Sequence, residues 1–151
     1  MPNTDLAPHQ RRFTGLSATD RQTERRTLLL DAGFDVLGTA GWKSLTVRSV
    51  LEAARLNPRY FYESFADLDA LLVAVFDEVA AEFGAALFSA IEAGHTDQAA
   101  LVRGAVEAFI DVMVADPRKG RVMFIEPMAS AAIGTHGLDV APMFVAIVRS
   151  Q

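Results

Sequence analysis

The chain has 151 residues, 51% hydrophobic and 22% charged, with 14 basic and 19 acidic side chains and no cysteine. These values suit one compact unit or two small helical subdomains. They exclude a disordered chain, a disulfide scaffold, and any thiolate metal site or cysteine nucleophile. No apolar run approaches the roughly 18 residues of a membrane span, and residues 1–20 lack the apolar core of a secretory signal. The expected location is the cytoplasm, with no membrane partner. The charge is uneven: residues 1–65 hold 9 basic against 7 acidic side chains, residues 66–151 only 5 against 12. A polyanion, if one binds, meets the first half.

Residues 1–18 mix Pro2, Asn3, Pro8, His9 and Gly15 and predict a flexible arm, from which Arg11 and Arg12 either reach a DNA groove or are simply solvated. Thr19-Asp20-Arg21-Gln22 has the form of a capping box. A helical pattern follows to about Thr39, with Leu29, Ala32, Val36 and Leu37 on one face. Gly33 inside it suggests close packing, and Gly38 and Gly41 are expected to end it. A second, short helix is predicted over Val47–Ala53, begun by Thr46. Asn57-Pro58 then restarts the chain as cap plus first-turn proline, giving a third helix that ends near Ser64.

From Asp67 to Ala93 the spacing of Leu68, Leu71, Leu72, Val75, Phe76, Val79, Phe83, Leu87 and Ile91 predicts one long helix. Such a helix would carry any tilt near Val79 or Phe83 to the residues packed on its start. Another helix is predicted over Asp97–Ala115. Asp116-Pro117 opens a further one that Pro127 must kink or interrupt. Residues 134–137 read as a loop before an apolar piece at Val140–Val148. No repeat and no alternating strand pattern occurs. The expected fold is all-α: an N-terminal three-helix helix-turn-helix domain at 19–66, then a C-terminal helical regulatory domain at 67–151, shortened at its end.

Projected at 100° per residue, the third helix puts Phe61 and Phe65 on one side and Arg59, Tyr60 and Glu63 on the other, with Tyr62 and Ser64 flanking. Such a face suits the DNA major groove, since Arg binds guanine bidentately and a carboxylate accepts from cytosine N4. Thr46 and its adjacent amides offer a phosphate site, and Asn57 at the start of the third helix is counted with this set.

The segments Leu29-Leu30-Asp31-Ala32, Gly41-Trp42-Lys43-Ser44-Leu45-Thr46-Val47-Arg48, Phe61-Tyr62-Glu63-Ser64-Phe65 and Leu71-Leu72 resemble the N-terminal domain of the TetR family, over about residues 21–72. The resemblance implies a homodimeric transcriptional regulator, usually a repressor, that leaves its double-stranded DNA operator when a small-molecule effector binds the second domain. It implies phosphate contacts by Thr46 and Tyr62, help from Lys43, base-facing roles for Arg59 and Tyr60, and a contribution from Arg48. Four positions depart from the family. Arg55 stands where a turn glycine is usual, so a left-handed residue is expected at a cost of roughly 1 kcal/mol. Glu63 and Ser64 replace a frequently basic pair, and Leu68 replaces a lysine. The chain is also shorter than typical members, which reads as a truncated product or a minimal variant.

Phe83, Phe88, Phe109, Met113, Met123, Phe124 and Met128 could line an apolar effector pocket, or could simply be core. No cofactor or metal is expected and no enzyme activity. His9, His95 and His136 are isolated, no glycine loop follows a strand, and no serine has a nucleophile-elbow setting. The alternative is a helical ligand- or protein-binding module whose DNA-binding domain is degenerate.

Overall fold

A computed structural model of the chain describes residues 17–94 and 97–149, and all the regular structure in them is helical. Most of the arm expected at 1–18, with His9, lies outside the described residues, as does His95. Helix α1 (Ala18–Ala40) starts earlier than the Thr19 box suggests. The box that forms is Ser17 with Asp20: the Ser17 hydroxyl accepts the Asp20 N–H at 3.0 Å, and the Asp20 carboxylate accepts the Ser17 N–H at 2.9 Å. Gly38 lies inside this helix rather than ending it, because a Cβ there would fall 2.7 Å from Arg118 Cβ. The terminator is Gly41, at φ 84°, a conformation open to glycine and strained for other residues.

A single 3₁₀ turn (Trp42–Ser44) leads into α2 (Val47–Ala54), whose N-terminus carries a reciprocal cap between Thr46 and Ser49. The turn to α3 (Pro58–Ser64) passes through Arg55 at φ 55°, ψ 40°, the left-handed conformation expected where glycine is absent. Leu29, Leu30 and Leu37 of α1, Leu45, Val50 and Leu51, and Phe61 and Phe65 bury together and hold these helices as one unit.

Helix α4 (Leu68–Glu92) begins under the Asp67 cap, whose carboxylate accepts the Ala70 N–H at 2.8 Å. Its first turns belong to the same core, since Leu71, Leu72 and Val75 are almost fully buried, and a Cβ on Gly33 of α1 would stand 3.1 Å from Val75 Cγ2. Farther along, Phe83 is fully buried, with its ring 4.4 Å from that of Phe109 on α5 (Gln98–Ala115) and 6.0 Å from that of Phe124.

The Asp116-Pro117 signal opens α6 (Pro117–Gly120), which runs into a π-helical turn (Arg121–Ile125) and then α7 (Glu126–Ala129). Pro127 has no N–H and its ring crowds the preceding turn, and the extra residue of the π turn is what the helix adopts just before it. The loop expected at 134–137 is instead part of a continuous helix, α8 (Ala131–Arg149), that contains both glycines and Pro142. Close approach explains the glycines: a Cβ on Gly134 would lie 2.6 Å from the Pro127 carbonyl oxygen, and one on Gly137 3.4 Å from the Phe76 ring. Gly134→Val is therefore expected to cost about 1–3 kcal/mol, read as a lower urea midpoint. His136 ties α8 to α4, with Nε2 2.6 Å from Asp77 Oδ1 and its ring edge-on to Phe76.

Candidate nucleic-acid interface

The short helix α3 is anchored from beneath, and its anchors free its outer face. Phe61 is completely buried and packs 5.9 Å from Phe65, which fixes the rotation of the helix. Asn57 Oδ1 accepts the Arg59 N–H at 3.2 Å, so its amide serves as the cap. With α3 held this way, the Arg59 side chain is 82% exposed and Tyr62 63% exposed. Of the three residues expected opposite Phe61 and Phe65, Arg59 and Glu63 are exposed and Tyr60 is not, while Tyr62, expected only to flank them, is exposed. Tyr60 is half-buried, lying beneath the Arg25 guanidinium at 4.4 Å.

Glu63 occupies the centre of a charge cluster. Its carboxylate accepts from Arg59 Nε at 2.7 Å and stands 3.7 Å from Arg25 Nη2. On α2, Arg48 Nε reaches Glu52 at 2.8 Å, one helical turn away. Each pair raises the pKa of its arginine, chiefly through the hydrogen bond to the carboxylate. Among the described residues Lys43 and Arg55 make no ion pair. Lys43 lies exposed in the 3₁₀ turn just before Thr46. Thr46 gives its hydroxyl to the cap, accepting the Ser49 N–H at 3.0 Å, and stays exposed at the start of α2. Lys43, Thr46, Arg48, Arg59 and Tyr62 thus present exposed polar atoms on α2, α3 and the turn between α1 and α2. An open groove of about 540 Å³ separates α2 from α3, with Val47, Leu51, Pro58 and Tyr62 among its walls.

Two arginines of α1 complete this surface, and helical periodicity does not find them. Arg26 Nη1 donates to the Ser64 carbonyl at 2.7 Å and its guanidinium stacks 4.2 Å from the Phe65 ring centre. Arg25 meets Tyr60 and Glu63. The adjacent basic pair one turn before Leu29 is the signal that a closer reading of α1 could have used.

The residues expected to line an effector pocket differ in burial. Phe83 and Phe109 are packed with Phe124, but Phe88 is 53% and Met128 90% exposed. Met113 packs beside Gly120, and Met123 is half-buried on the edge of the core. Helical spacing marks all seven as apolar, but only the packing of α5 against α4 decides which of them turn inward. A polar cavity of about 430 Å³ lies between α1, α4 and α6, with Asp31, Phe34, Asp35, Glu78, Arg118 and Lys119 in its wall. Burial pushes the Glu78 carboxyl up, and Asp31 adds to the shift. Among the described residues no cluster of His, Asp and Glu suits a metal ion, and no helix is long and apolar enough to cross a membrane.

Arg118 links this cavity to the end of α1, through Asp35 at 2.6 Å, Asp116 at 2.7 Å, and its stacking 4.8 Å over Phe34. The hydrogen bond from Arg118 holds the Asp116 carboxyl below its usual range. A depressed carboxyl adds stability that is present above the unfolded-state pKa and is lost as pH falls through the folded one. Asp116→Asn keeps the capping oxygen and removes the charge. It is expected to lower the urea midpoint at neutral pH and to leave it unchanged once the solution is acid enough to protonate Asp116 in the parent.

No family model and no curated protein matches the sequence. A solved structure that is similar is a TetR family transcription regulator from Marinobacter aquaeolei VT8, at 22% identity and a TM-score of 0.71, covering 87% of this chain and 70% of that chain. The expected arrangement, a helix-turn-helix ahead of a helical second half, is the fold of that TetR family regulator.

Proposed function

We propose that this chain is a sequence-specific DNA-binding transcriptional regulator of the TetR family. In this reading α2 and α3 form the reading unit within residues 19–66. Residues 67–151 form the ligand-binding and dimerisation domain. The observation that carries it is the two-faced α3: Phe61 wholly buried, Arg59 held out on the opposite side, and Tyr62 exposed on the flank. Arg59 and Tyr60 would meet base edges, and Lys43, Thr46 and Tyr62 would fix the register through phosphates. Arg48 and Arg55 border the groove between the helices and add positive charge there.

The finer reading is a cytoplasmic repressor, released from its operator by a small apolar ligand and active as a homodimer. A dimer is supported by the exposed apolar row Val102, Val106 and Ile110 on α5, at four-residue spacing and each about half exposed. A second reading, a helical binding module with a degenerate DNA-binding domain, is favoured by one observation. Glu63 and Glu52 already engage Arg59 and Arg48, so two of the reading unit's cations are neutralised before DNA arrives.

An electrophoretic shift separates the two. The probe is the region upstream of the chain's own gene, with random duplex as competitor at low salt. A shift that random duplex fails to compete away supports the regulator. Absence of any shift supports the binding module.

A further inference from the structure

Outside the DNA-facing surface, the most constrained polar group in the described residues is Glu126. It stands at the first position of α7, is only 2% exposed, and both of its carboxylate oxygens are used. Oε1 accepts from Arg121 Nε at 2.8 Å, across the π-helical turn. Oε2 accepts the backbone N–H of Trp42 at 2.9 Å, 84 residues away in sequence. Arg121 extends the grip, with Nη1 donating to the Thr39 carbonyl at 2.9 Å.

Gly41 lies between these two attachments, at φ 84°. A Cβ there would fall 2.6 Å from Arg121 Nη2 and 3.2 Å from Glu126 Oε1. The pair therefore closes around the corner where α1 ends and the turn into α2 begins.

A buried carboxylate is costly unless fully paired, and breaking such a pair leaves an uncompensated charge. Spending that burial on a corner next to the reading unit fixes geometry more than it adds stability. Moreover, the Arg121–Glu126 spacing is set by a π turn, a rare element found frequently at functional sites. We propose that Glu126 and Arg121 are positioning residues: a clasp that joins the π turn of the second half to the α1–α2 corner and so sets how the α2–α3 unit is oriented. The clasp adds to two other connections, the packing of α4 on α1 and the contacts of Arg118 with Asp35 and Phe34, and it alone grips the corner after α1. Its consequence for DNA rests on the regulator reading above, whereas its structural part does not.

The test exploits the absence of cysteine. Spin labels at Ala53→Cys on α2 and Glu107→Cys on α5, both exposed positions, report the distance between the reading unit and the second half. Glu126→Gln and Arg121→Met are each expected to displace and broaden that distance distribution. The double variant should go no further than either single one, and affinity for the upstream DNA should fall by roughly 2- to 30-fold. A clasp with a merely stabilising role would lower the unfolding midpoint and leave the distance unchanged in the folded protein. That result overturns the proposal, as does a displaced distance with unchanged DNA affinity. Should Arg121→Met fail to fold because it strands the buried carboxylate, Glu126→Gln decides alone, since it buries no charge and its amide oxygen can still accept the Trp42 N–H. A parent chain that binds no DNA removes the regulator reading, while the distance measurement still decides whether the clasp sets orientation.

Discussion

Replacing Arg59 with alanine is expected to weaken binding to the preferred DNA site by about 1–3 kcal/mol and to relax the preference at one base pair. Random duplex should lose much less. The Arg59 side chain is the most exposed cation on α3, and its present partner, Glu63, is one that a guanine edge can replace. The contrast comes from Lys43→Ala. Lys43 makes no ion pair among the described residues and sits beside the Thr46 cap, so it is placed to meet phosphate. Its loss should weaken all sequences alike and reduce the slope of log affinity against log salt by about 1. Titrations of both variants against specific and random duplexes at several salt concentrations check this. Equal effects of the two substitutions on specific and random DNA would place base reading elsewhere.

Phe61→Ala should be the most damaging single change to the reading unit. The ring is completely buried in the core where α3 packs on α1 and α2, edge-on to Tyr62 and tilted against Phe65. Truncating a buried phenylalanine costs about 3–5 kcal/mol, as lost transfer energy plus the cavity left behind. Domains are commonly stable by only about 5–15 kcal/mol. Urea unfolding should therefore show a large drop in midpoint. DNA binding should fall with it, for sequence-specific and random duplex together. A loss confined to specific DNA, with the midpoint unchanged, would mean that Phe61 acts at the interface and not beneath it.

The reading unit was legible in the sequence because its signals are local. Asn57-Pro58 announces the start of α3. The four-residue step from Phe61 to Phe65 names its buried face, and the face opposite follows from helical geometry alone. The left-handed residue at Arg55 came from the family resemblance and not from a local signal, and the backbone is left-handed there. Where signals depend on distant partners, the same reasoning gave out. Gly134 and Gly137 looked like a loop because a glycine means either a turn or a close approach, and only Pro127 and Phe76 decide which.

Nothing local in the sequence marks Glu126. Its arginine is five residues back, across a π turn that ordinary three- and four-residue spacing does not contain, and its second partner is a backbone amide on the other side of the fold. Arg25 and Arg26 were passed over for a related reason: their partners, Tyr60, Glu63, Phe65 and the Ser64 carbonyl, lie on α3 or just after it.

Amide hydrogen exchange with and without DNA tests most directly whether α2 and α3 form the DNA-binding surface. Addition of the upstream duplex to the full chain should slow exchange in the segment from Lys43 to Ser64, above all at the starts of α2 and α3. Along α5 the rates should be unchanged by direct contact. Slowed exchange confined to α5 or α8, or no change anywhere under conditions in which DNA is bound, would contradict the assignment of DNA reading to α2 and α3.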